Sequence, residues 1–176
     1  MDILDEAYQR GHDYLRRWRA CAPTVFAAVM DTLGRGEEPE NQEVWKATIG
    51  LTGGTGNMTM GTCGAMAGAA AAISLSFGFG QEELQQDIMK LLAVSESIAD
   101  VGKKMQEKYG SITCVNVQFH HWGKAYILSN PHSLQEFANL SGKSPATPEC
   151  EEVTGDLTRW AVEKILAVNP SFSKRK

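Results

Sequence analysis

Gly64-Ala65-Met66-Ala67-Gly68-Ala69-Ala70-Ala71-Ala72-Ile73 runs for ten residues without a proline or a charge, and its one β-branched side chain comes last. Alanine is the strongest helix former, and side chains this small let neighbouring helices approach closely. The stretch predicts a buried central helix. Extended to Gly80 it remains broken by Gly and Ser and is too short and too weakly apolar to span a membrane.

Outward from this helix the apolar spacing stays helical. Downstream, Leu84, Ile88, Leu91, Ser95, Ile98, Val101 and Met105 step by threes and fours and predict one long helix over 81–108. This stripe is read as core, with an exposed portion available as a homodimer face. Upstream, Leu4 to Trp18 is amphipathic, with Arg16, Arg17 and Arg19 at the end where the helix dipole favours cations. Pro23 suits a first helical turn and Val25, Val29 and Leu33 repeat at four. Asn41 can cap a short helix through Val44, Trp45 and Ala47, and Asn130-Pro131 opens another. Thr147-Pro148-Glu149-Cys150-Glu151 has a capping Thr, Pro at the first position and acids in the first turn. Gly34 to Pro39 and Ser141 to Pro148 read as loops. Only Ile112 to Phe119 is β-branched enough to compete as a strand. The expected fold is all-α, a bundle of five to eight helices around the Ala/Gly-rich one, in a single domain over residues 1–176.

The balance of 17 Lys and Arg against 21 Asp and Glu gives a net charge of -4, and the one basic tract is Lys174-Arg175-Lys176. Nucleic acid is therefore not an expected partner. The acidic start, Met1-Asp2-Ile3-Leu4-Asp5-Glu6, has neither the basic nor the apolar region of a secretory signal, so a cytoplasmic location is expected.

Four cysteines carry the chemical signal. Cys21, Cys63, Cys114 and Cys150 have 41, 50 and 35 residues between successive members, and each precedes or opens a helical stretch. At a helix start unpaired N–H groups and the dipole favour a thiolate, the form that ligates metals and does redox chemistry. No Cys-x-x-Cys pair exists, so a shared site must be assembled by the fold. Convergence suits soft metals, an iron-sulfur cluster or zinc. An oxidised 2Fe-2S unit on four thiolates carries roughly two negative charges, which four helix termini at about half a positive charge each would offset. The same cysteines can be read as redox disulfides or as unrelated core residues.

Gly50-Leu51-Thr52-Gly53-Gly54-Thr55-Gly56-Asn57-Met58-Thr59-Met60-Gly61 holds five glycines in twelve residues. A phosphate loop needs Lys-Ser/Thr after the last glycine, but Thr62-Cys63 follows; a dinucleotide fingerprint needs a third Gly and a preceding strand. The loop is expected instead to fold around the Cys63 sulfur and present N–H groups to it. His120 and His121 point about 100° apart on a helix, and they and the isolated His12 and His132 are read as surface or structural. No Gly-x-Ser-x-Gly, His-Glu-x-x-His or Cys-x-x-Cys-His occurs, so no catalytic residue is assigned and attached haem is excluded.

Cys63-Gly64-Ala65-Met66-Ala67-Gly68, with Cys21 before it and Cys114 and Cys150 after it, resembles the redox-active proteins named for the C-GCAxxG-C-C cysteine pattern. The resemblance runs from about Cys21 to Ile165. It implies a small helical protein whose four cysteines are the functional residues, with Gly64, Ala65 and Gly68 completing the motif. A related domain occurs in split-Soret cytochrome c, where an iron-sulfur cluster accompanies haems; the haem part is missing here and is not carried over. The expectation is a redox or electron-transfer protein with Cys21, Cys63, Cys114 and Cys150 as metal ligands and Gly64 beside the cofactor. That cofactor is an iron-sulfur cluster, 2Fe-2S by preference, labile in aerobic purification, and the partner is a redox protein. The alternatives are thiol-disulfide exchange, with an exposed low-pKa Cys63 and a resolving cysteine, and a non-redox helical binding module.

Overall fold

Helices α1 (Ile3–Trp18) and α2 (Cys21–Thr32) are separated by two residues, because Arg19 takes left-handed backbone at φ 56° and donates its N–H to Leu15 O. The turn lays α2 against α1 and leaves Cys21 as the first residue of its helix. The computed structural model describes residues 1–140 and 146–174. Among these, seven further α-helices follow: α3 (Pro39–Thr48), α4 (Gly64–Phe77), α5 (Gln81–Gln86), α6 (Ile88–Tyr109), α7 (Cys114–Trp122), α8 (Pro131–Leu140) and α9 (Pro148–Val168). The protein is all-α, with no strand among the described residues.

Helices α2, α4 and α9 pack on one another; α1 lies along α9 and α2, and α6 closes over α4 and α9. Phe26, Met30, Ile73, Met105, Leu157 and Ile165 form the centre of the core. The Ala/Gly helix is α4, with Ala65, Ala69 and Ala72 essentially inaccessible. Two of its glycines are steric necessities. A methyl group at Gly68 would overlap the Ala22 carbonyl oxygen and lie 3.0 Å from its carbon; one at Gly64 would overlap the Cys21 sulfur and press within 3.2 Å of Leu51 O and Thr52 Cα. Both therefore let the start of α2 rest on α4.

Three local expectations change. The single helix over 81–108 is broken at Asp87, whose backbone is extended (φ -144°, ψ 101°) and whose carboxylate accepts the Met89 N–H at 2.9 Å. Apolar periodicity runs through such a capping residue without registering it. Asn41 is not a cap: α3 starts at Pro39, and the Asn41 side chain donates to Arg35 O at 2.7 Å, tying the preceding loop. Around Ile112 the strand tendency yields one antiparallel bridge, Thr62 with Thr113, before α7 begins. The loop expected over 141–148 lies outside the described residues from 141 to 145. No helix among the described residues is long and apolar enough to cross a membrane.

Candidate four-cysteine site

All four cysteines stand in the first turn of a helix. Cys21 and Cys114 are the first residues of α2 and α7, Cys63 is the N-cap of α4, and Cys150 is the third residue of α9 behind the Thr147 cap. Thr147 Oγ1 accepts the Cys150 N–H at 3.4 Å. The Thr62–Thr113 bridge joins two of these starts through the backbone: Cys63 N–H donates to Ile112 O at 2.8 Å, and Cys114 N–H donates to Gly61 O at 3.0 Å.

The four side chains line one cavity of about 380 Å³. Val117, Trp122, Leu128, Leu134 and Phe137 form an apolar wall, and among the described residues Arg19 is the charged one in the lining. All four cysteines are free thiols. Among the described residues no group of three or more His, Cys, Asp or Glu is arranged to hold a metal ion.

The glycine-rich loop serves a different sulfur from the one expected. Gly53 N–H points at Cys21 Sγ at 3.5 Å, and a methyl group at Gly54 would lie 2.9 Å from Cys114 Cβ. The loop holds its shape through left-handed backbone at Gly53, Gly54 and Gly56 and also at Thr55, Asn57 and Thr59. A β-branched residue at positive φ is strained. Thr59 is held there because its hydroxyl donates to Tyr126 O at 2.7 Å and its N–H donates to Gly53 O at 2.8 Å.

Burial outweighs the helix termini in setting the thiol charge. Cys21 is raised by burial, partly countered by the Gly53 N–H. Cys63 is pushed well above the usual thiol range by burial and then by Cys21 and Cys114. Burial pushes Cys114 up to about 11 against the Gln118 amide, and Cys150 up to about 12 against the Thr147 hydroxyl. Desolvation shifts a fully buried group by up to 3–5 units, about five times what a helix terminus contributes. The expectation of stabilised thiolates, and of an exposed low-pKa Cys63, is therefore corrected: Cys63 is 7% exposed, and the metal-free thiols are neutral near pH 7.

Neither Gln118 nor Arg19 was read from the sequence as a site residue. Gln118 Nε2 donates to Cys114 Sγ at 3.5 Å while its Oε1 accepts the Tyr126 N–H at 2.7 Å, so the amide is aimed from both ends. Its place four residues after Cys114, on the same helical face, is the signal that finds it. Arg19 had been assigned only to the dipole. His120 and His121 stand in the last turn of α7 and do not line the cavity.

No curated protein and no solved structure matches the chain. The family model described as "Putative redox-active protein (C_GCAxxG_C_C)" matches residues 19–164, a span that holds all four cysteines and the glycine-rich loop. Most of its length being covered by that match, the chain belongs to the C_GCAxxG_C_C family of redox-active proteins.

Proposed function

We propose that Cys21, Cys63, Cys114 and Cys150 hold an iron-sulfur cluster, 2Fe-2S by preference, and that the protein passes electrons through it to a partner redox protein. The observation that carries this is the meeting of four thiols, each from its own helix start, at one cavity. The donor set fits: thiols are the ligands such clusters take, and four of them border one cavity. When bound, the cluster supplies a one-electron couple.

The residues around it have definite tasks. Each thiol loses its proton on ligation, so loading is favoured by raising the pH. The Gly53 N–H and the Gln118 amide draw charge from the Cys21 and Cys114 sulfurs and favour the more negative, reduced state. Trp122, Leu134 and Phe137 exclude water from one side, and Arg19 adds a positive charge at the lining. Thiol-disulfide exchange through Cys63 lacks an accessible thiolate, because that sulfur is buried and protonated.

Anaerobic reconstitution with ferrous iron and sulfide, followed by desalting, tests the reading. The expected product is brown, with about two irons and two acid-labile sulfides per chain, and replacing Cys63 or Cys114 by Ser abolishes retention. Colourless protein with four titratable thiols after the same treatment overturns it.

A further inference from the structure

We infer that the exposed apolar face of α5 and the start of α6 is the contact between two copies of this chain. From Gln81 to Ala93 every residue except Lys90 is exposed. Within that span Leu84, Ile88, Met89, Leu91 and Leu92 are 38, 62, 64, 45 and 51% exposed. Helix α6 enters the core only from Ser97 onward, through Val101, Gly102, Met105 and Tyr109. Helix α5 has no buried residue, and its main packing among the described residues is on α6.

Such a segment is not stable by its own means. Isolated helices shorter than about 12–15 residues are marginal in water, and most helical stability comes from packing an apolar face. Here that face exists. At 100° per residue, Ile88, Met89, Leu91 and Leu92 form one arc of about 160°, turned roughly 120° around the axis from the side of α6 that is buried. One helix thus carries two apolar faces, and the monomer uses one.

Composition and area select the occupant. Faces that bind unlike partners are rich in Tyr, Trp and Arg, whereas homodimer cores are more apolar than ordinary surface. This face is aliphatic and Met, rimmed by Gln81, Glu82, Gln85 and Gln86. At these exposures the five side chains present on the order of 500 Å² per copy, and the rim supplies the rest of the roughly 800 Å² that a standard interface buries on each partner. A two-fold axis can pair such a patch with itself, because the same residues face each other. None of its residues lines the four-cysteine cavity.

Light scattering on the full chain, eluted from a sizing column in reducing buffer at micromolar concentrations, reads the assembly directly. The expected mass is twice the 19.2 kDa of the chain, and the double variant Ile88→Glu, Leu92→Glu halves it with the far-ultraviolet helix signal retained. Hydrogen exchange on the wild type keeps the test decisive if that variant misfolds. Amides over 81–93 become protected as concentration rises in the expected case, while those of α9 do not change. A monomeric wild type, a double variant that still dimerises, exchange over 81–93 indifferent to concentration, or co-sedimentation with phosphatidylglycerol vesicles in place of self-association would each overturn the assignment.

Discussion

Replacing Gly68 and Gly102, one at a time, by alanine applies the same chemical change to two helix-interior glycines with opposite expected outcomes. At Gly68 the new methyl group meets a backbone carbonyl, that of Ala22, which cannot rotate aside; α2 and α4 must separate. Overpacking of this kind costs about 1–3 kcal/mol, and a rigid neighbour places it at the upper end. The gain in helix propensity returns about 1 kcal/mol, leaving a net loss of about 2. At Gly102 the nearest atoms are Met66 Cε at 3.6 Å and Ile112 Cγ2 at 3.7 Å, ordinary contact distances. Only the propensity gain of about 1 kcal/mol remains there. For a chain of this length 1 kcal/mol moves Tm by about 2–4 °C, so Gly68→Ala falls by about 4–8 °C and Gly102→Ala rises by about 2–4 °C. Thermal melts of the metal-free protein under reductant measure both. A Gly68→Ala melt equal to wild type, or both variants moving the same way, would refute the claim that Gly68 is present for the approach of α2.

The raised thiols make metal-free stability fall at alkaline pH. Their folded pKa values, about 11 for Cys114 and about 12 for Cys150, exceed the unfolded value of about 8.5, so the stabilisation is full below pH ~8.5 and is lost as pH rises toward 11–12. Urea melts at pH 8 and pH 10.5 are expected to show this, with the slope reduced in Cys114→Ser, Cys150→Ser; equal stability at both pH values would count against it. Tyr109→Phe removes a buried hydrogen bond of 2.6 Å to Asp156 Oδ2, on a carboxylate that Lys108 also contacts at 2.5 Å, and should cost about 1–3 kcal/mol. Since neither residue lines the cavity, iron retention is expected to stay at the wild-type level; a parallel loss of iron would show that the two networks are coupled.

The all-α class, the central Ala/Gly helix and the placement of four cysteines at helix starts were legible because they rest on local chemistry: propensity, caps and apolar period. Pro148 behind Thr147 announces the start of α9, and the structure puts Cys150 in that first turn. What local pattern does not carry is which distant groups meet. The five glycines announced an unusual backbone, but only the fold directs the Gly53 N–H to Cys21 rather than Cys63. Thiol charge misled for the same reason. The dipole at a helix start is a property of neighbours in sequence, whereas desolvation depends on Val117, Leu134 and the other walls brought from elsewhere. Gly64 and Gly68 belonged to a recognisable motif, yet their common cause, the seating of α2, is a tertiary contact.

The backbone bridge between Thr62 and Thr113 bears on what holds the four-cysteine site in shape. It fastens the Cys63 and Cys114 segments by amide-to-carbonyl bonds that use neither sulfur. Zinc fingers, by contrast, fold only when the ion arrives. Here two of the four thiol-bearing segments are tied to each other by backbone pairing, so the relative placement of Cys63 and Cys114 is set by the main chain and not by ligands to the sulfurs alone.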